Sequence, residues 1–67
     1  MKETRIYLDD KLINIGYNPF TVGCNLISYI KKYGKERITT KEFDSHLMDK
    51  EKIEFLDNFN KELIEKN

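Results

Sequence analysis

KKYGKERITTKEFDSHLM, Lys31–Met48, is the stretch on which the fold turns. Thr39 and Glu42 stand at the S/T-x-x-E spacing of a capping box, in which each side chain satisfies the other residue's orphan amide. That spacing predicts a short helix burying Phe43 and Leu47, reached from an upstream helix through a joint at Gly34. The same residues can be laid against the calcium-loop pattern, which puts Ile38 at its eighth position and Glu42 at its twelfth. Calcium needs several anionic or carbonyl oxygens, however, and the first, third and fifth positions are Lys31, Tyr33 and Lys35. Those positions repel or ignore the ion, so no metal is expected.

Upstream of the joint, Val22, Leu26, Tyr29, Ile30 and Tyr33 recur at helical spacing from Thr21. Thr21 can cap this helix, Lys31 and Lys32 suit the negative end of its dipole, and Gly34 suits a left-handed exit. Downstream, Asp49 offers a fresh cap, and Ile53, Leu56, Phe59 and Leu63 form a broad stripe running towards the C-terminus. The N-terminal segment TRIYLDDKLINIGYNPF carries β-branched and aromatic residues on both sides of Asp9-Asp10-Lys11. Ile6 and Leu8 would point inward on one strand and Ile13 and Ile15 on the other, which favours a β-hairpin. The competing reading is a short helix through Leu8, Leu12 and Ile15. Gly16, Asn18 and Pro19 then break the chain. The expected fold is therefore α+β and helix-rich: an N-terminal hairpin, or short helix, followed by three α-helices around one small core, with residues 1–67 as a single domain.

A chain of 67 residues buries only about 60% of the surface its unfolded form exposes. An enclosed catalytic site needs walls and support beyond such a core, which favours a binding module. The formal net charge is zero with 36% charged residues, so this is neither a polybasic arm nor an acidic tail. Cys24 is the single cysteine, which excludes an internal disulfide or CxxC site and fits a reducing compartment. No apolar run reaches the ~18 residues of a membrane span, and MKETRIYLDD lacks a signal peptide's apolar stretch, so a complete, soluble, cytoplasmic chain is expected. Alanine and glutamine are absent while lysine, isoleucine and asparagine abound, a bias suited to an AT-rich genome such as that of a phage or mobile element.

The sequence supplies no catalytic set and calls for no cofactor. His46 is the lone histidine, Cys24 reads as a buried thiol, and Asp9 and Asp10 as turn formers. The apolar surplus is more informative. Tyr7, Tyr17, Phe20, Ile27, Phe55 and Ile64 lie off the narrowest core stripes. Phe55 stands about 100° from Leu56 around the last helix, and with Phe59 it forms an aromatic strip flanked by Glu51 and Glu54. An apolar centre with a charged rim suits a protein interface. Tyr17, Phe20, Phe55, Phe59, Glu51 and Glu54 are therefore the expected partner-binding residues. The expected function is a non-enzymatic interaction module that binds and modulates, with inhibition the favoured outcome, a larger host or phage protein, with self-association as another use of the surface. The alternative is a small DNA-binding regulator of helix-turn-helix type, gripping phosphates through Lys31, Lys32, Lys35, Arg37 and Lys41. Residues 42–67 carry eight acids against four bases, so the basic excess lies towards the N-terminal side.

Overall fold

The computed structural model describes residues 1–66, with side chains described through residue 61. Two strands, β1 (Lys2–Leu8) and β2 (Lys11–Gly16), are followed by helix α1 (Pro19–Tyr33), a single 3-10 turn (Lys35–Arg37), strand β3 (Ile38–Asp44) and helix α2 (Lys50–Lys66). The strands form one antiparallel sheet in the order β2-β1-β3. The hairpin expected from the N-terminal alternation is present. Asp9 and Asp10 take positive φ values of 50° and 67°, as a two-residue loop matched to the right-handed twist of its strands requires.

The element after the joint departs from expectation. Lys31–Met48 holds one helix end and one strand, so the chain has two helices rather than three. Ile38, Thr39 and Thr40 are consecutive β-branched residues, stiff at χ1 and better suited to a pleated surface than to a helix interior. They pair with β1 in unbroken register from Leu8↔Ile38 to Lys2↔Asp44. Phe43 is half-buried, as expected, but on a strand, whereas Leu47 is exposed. The following residues are held by turn bonds: the Ser45 amide donates to the Met1 carbonyl at 3.0 Å and the His46 amide to Asp44 Oδ1 at 2.8 Å.

With β1 in the centre, its two faces are covered by different helices. Even positions face α1, where Ile6, Val22 and Ile38 form the buried cluster, and Leu8, Ile13, Leu26, Tyr29, Ile30 and Tyr33 pack around it. A bulge between Ile6 and Tyr7 places Ile13 on this side, whereas Ile15 lies opposite Arg5 and so points to the other. At Gly16 helix and sheet approach closely, since a Cβ there would collide with Cγ2 of Val22.

The cap of α1 lies three residues before the expected one. The Asn18 side chain accepts from the Phe20 amide at 2.9 Å and the Thr21 amide at 3.4 Å, and Pro19 occupies the first turn. The Asn18-Pro19 pair thus opens a helix, because proline lacks only a donor that the first turn leaves unpaired anyway. Gly34 closes it with φ 101°, its amide N–H donating a hydrogen bond to the Ile30 carbonyl at 2.9 Å.

Candidate interaction site

The odd positions of β1 build the other face of the sheet, and they are not apolar. Glu3, Arg5 and Tyr7 are buried beneath α2, with Glu3 and Arg5 0% exposed. Arg5 Nε donates to Glu3 Oε2 at 2.7 Å, and its two terminal nitrogens grip Asp49 in bidentate fashion at 2.7 and 2.9 Å. Arg5 Nη1 also reaches Glu51 at 3.0 Å, and the Tyr7 hydroxyl donates to the same Glu51 oxygen at 2.6 Å. Lys52, likewise buried, donates to Glu3 Oε1 at 2.7 Å and to the Ser45 carbonyl at 3.0 Å. The guanidinium of Arg5 lies 4.1 Å from the centre of the Phe43 ring. Among the described residues every buried side-chain nitrogen and oxygen has a partner.

This network fixes the protonation states of its members. Burial pushes the Glu3 carboxyl up, but the hydrogen bonds and charges of Lys52 and Arg5 outweigh it and hold the group below its ordinary value. The hydrogen bond from Arg5 holds Asp49 down. Burial, reinforced by Glu51, pushes the Tyr7 phenol up to about 12. At neutral pH the dock therefore sets the cations Arg5 and Lys52 against the carboxylates Glu3 and Asp49, with the protonated Tyr7 phenol beside them.

Docking α2 by polar groups leaves its apolar residues in unusual places. Ile53 and Leu56 are 43% and 37% exposed, although the helical stripe predicts both as core. Phe55, expected outside, is half-buried. Phe55 leans with Phe59 towards the free edge of β2, where Leu12 and Ile13 lie at the floor of a cleft of about 590 Å³. Tyr29 of α1 forms the opposite wall, and Lys11 and Lys61 contribute cations to the lining. A second cleft of about 320 Å³ adjoins it, sharing Leu12 and Phe55 and lined by Asp10, Glu51 and Glu54.

Four of the six expected partner-binding residues, Glu51, Glu54, Phe55 and Phe59, thus line these two adjoining clefts. Tyr17 and Phe20 do not join them. Tyr17 is half-exposed, its ring 5.8 Å from the Lys52 ammonium, and Phe20 projects from the first turn of α1 at 80% exposure. The cations of the joint are divided between structural elements. Lys31 and Lys32 end α1, Lys35 sits in the 3-10 turn, and Arg37 is held by Asp9 at 3.0 and 3.1 Å. Lys41, opposite Arg5 on β3, lies on the α2 side, 5.3 Å from the Tyr7 ring. Because a strand follows the joint, the two-helix arrangement of a helix-turn-helix is absent there. Cys24 is exposed on α1 rather than buried.

Sequence reasoning missed Glu3, Arg5, Tyr7, Asp49 and Lys52 as a unit, and Leu12, Ile13 and Tyr29 as cleft-lining residues. One signal was available: Glu3 and Arg5 alternate with Thr4 and Ile6 along one strand, the pattern of a second face with its own partner. No protein-family model, curated protein or solved structure matches this chain. No helix among the described residues is long and apolar enough to cross a membrane.

Proposed function

We propose that this chain is a non-enzymatic protein-interaction module that binds and modulates a larger protein through the clefts between α2 and β2. One observation carries the reading: an unpaired strand edge lies between aromatic side chains from two helices, with charged groups at its rim. Apolar centres bordered by polar groups are the usual anatomy of protein interfaces, and aromatic anchors supply much of their binding energy. Phe59, 53% exposed, is such an anchor without requiring the fold to open.

The test is co-purification of tagged chain from nuclease-treated lysate of its native cells. A captured protein should be lost with Phe59→Glu and retained with Lys50→Glu, because Lys50 is exposed and lies outside the cleft linings. Both variants should keep the wild-type circular dichroism. Equal capture by the two variants would place the interface elsewhere. Capture seen only in a parallel untreated lysate, and lost on replacement of Lys31 and Lys32, would favour nucleic acid instead.

A further inference from the structure

The larger cleft has the shape of a place left for a strand. It is lined by residues 11–14 of β2, a strand that in the order β2-β1-β3 has a neighbour on one side only. Its walls come from opposite faces of the sheet: Tyr29 from α1, and Phe55 and Phe59 from α2. Both helices thus contribute aromatic side chains beside the edge strand, where a fourth strand would have its two faces covered. From this geometry we infer that the cleft takes an extended segment of the partner, which pairs with β2 as a fourth strand. The inference rests on the interaction reading above.

The chemistry of the occupant follows from the walls. A strand edge presents backbone donors and acceptors, which a helix cannot match because its own backbone groups are used internally. Successive side chains of an added strand point alternately towards Tyr29 and towards Phe55 and Phe59, so both sets must be apolar. The rim is charged with both signs. A base on the occupant suits Asp10 and Glu54, and an acid suits Lys61. The bulge at Ile13 and the lysine at position 11 are devices that discourage indiscriminate edge pairing. The occupant must therefore gain its affinity from the aromatic walls as well as from the ladder. Both clefts lie along β2, whereas the longer strand β3 carries exposed polar residues from Thr39 to Glu42.

The experiment is selection of the immobilised full chain against a phage-displayed library of random peptides about twelve residues long, followed by synthesis of the enriched sequences. Enriched peptides should share a proline-free apolar run with flanking charge. They should protect β2 amides from hydrogen exchange without affecting β3, and should lose binding when alternate peptide nitrogens are methylated. Phe59→Glu should weaken them by roughly ten-fold or more, and Lys50→Glu should not. Binders that are helical, or that protect β3, would overturn the inference. So would sedimentation showing that the chain pairs with a second copy through β2. If no peptide is enriched while the native partner is still captured in a Phe59-dependent way, the added strand is wrong and the interaction site stands. If neither a peptide nor a partner binds, both fall.

Discussion

Replacing Lys52 by methionine keeps the length and apolar stem of the side chain while removing its ammonium. In the folded chain this takes one of two cationic partners from Glu3 and the only described side-chain donor from the Ser45 carbonyl. Breaking a buried ion pair typically costs about 3–5 kcal/mol, because the remaining charge stays desolvated. Arg5 still holds Glu3 at 2.7 Å, so the expected cost is lower, about 2–4 kcal/mol. At ~0.05–0.15 kcal/mol per residue, a chain of 67 residues has roughly 3–10 kcal/mol in total, so Lys52→Met should consume a large part of it. Adding Glu3→Leu removes the stranded carboxylate, while Arg5 retains Asp49 and Glu51. The double variant should then be more stable than the sum of the single changes implies, with a coupling of about 1–3 kcal/mol. Urea unfolding with linear extrapolation measures all four corners of the cycle. Repeating it at about 0.5 M salt checks burial, since a desolvated pair is weakly screened. A Lys52→Met cost under about 1 kcal/mol, or a coupling that vanishes in salt, is the behaviour of a surface pair and would refute the polar dock.

Two further predictions concern the same architecture. Glu3 and Asp49 titrate below their ordinary values of 4.5 and 3.8, so their contribution to stability should be full above about pH 4.5 and lost as pH falls through the lowered folded values. The groups facing them are Arg5 and Lys52 for Glu3, and Arg5 with the Lys52 amide for Asp49. Urea midpoints between about pH 7 and pH 2 should therefore decline less steeply for Glu3→Gln than for wild type. On the opposite face, Gly16→Ala places a methyl group against Val22 and should cost about 1–3 kcal/mol, as overpacking does; a neutral result by the same unfolding assay would show that helix and sheet can separate there freely.

What was legible in the sequence was the local part of the fold. The hairpin could be read because its alternation and its Asp-Asp turn are contiguous, and α1 because its stripe and its Gly34 exit agree. Strand β3 was not legible, because Thr39 and Glu42 satisfy a helix-start rule by themselves, whereas their strand depends on pairing with residues more than thirty positions earlier. The start of α1 was missed for a smaller reason: Asn-Pro is both a chain breaker and a cap followed by a first-turn proline. The lining of the candidate site was half legible. Phe55, Phe59, Glu51 and Glu54 were found through apolar surplus and flanking charge, but Leu12, Ile13 and Tyr29 read simply as core and strand residues.

The misplacement of the α2 faces has a specific physical cause. Periodicity arguments assume that the inner stripe of a helix is the apolar one, and on that assumption Ile53 and Leu56 must point inward. Here the surface beneath α2 is Glu3, Arg5 and Tyr7, so the helix turns Asp49, Glu51 and Lys52 towards it. Those partners are 44 to 49 residues away in sequence and leave no local trace. Buried ion pairs gain little net stability over an apolar contact, and in some proteins such polar groups select one register instead. That trade bears directly on the cleft. Glu51 accepts the Tyr7 hydroxyl in the dock and also lines the acidic cleft, and Leu12 lies opposite Tyr7 in the sheet while lining both clefts. An α2 held by interchangeable apolar contacts could slide along the sheet and carry Phe55 and Phe59 away from the β2 edge. Held by Arg5 and Lys52, it keeps both rings beside that edge, so the proposed binding surface needs no rearrangement of α2.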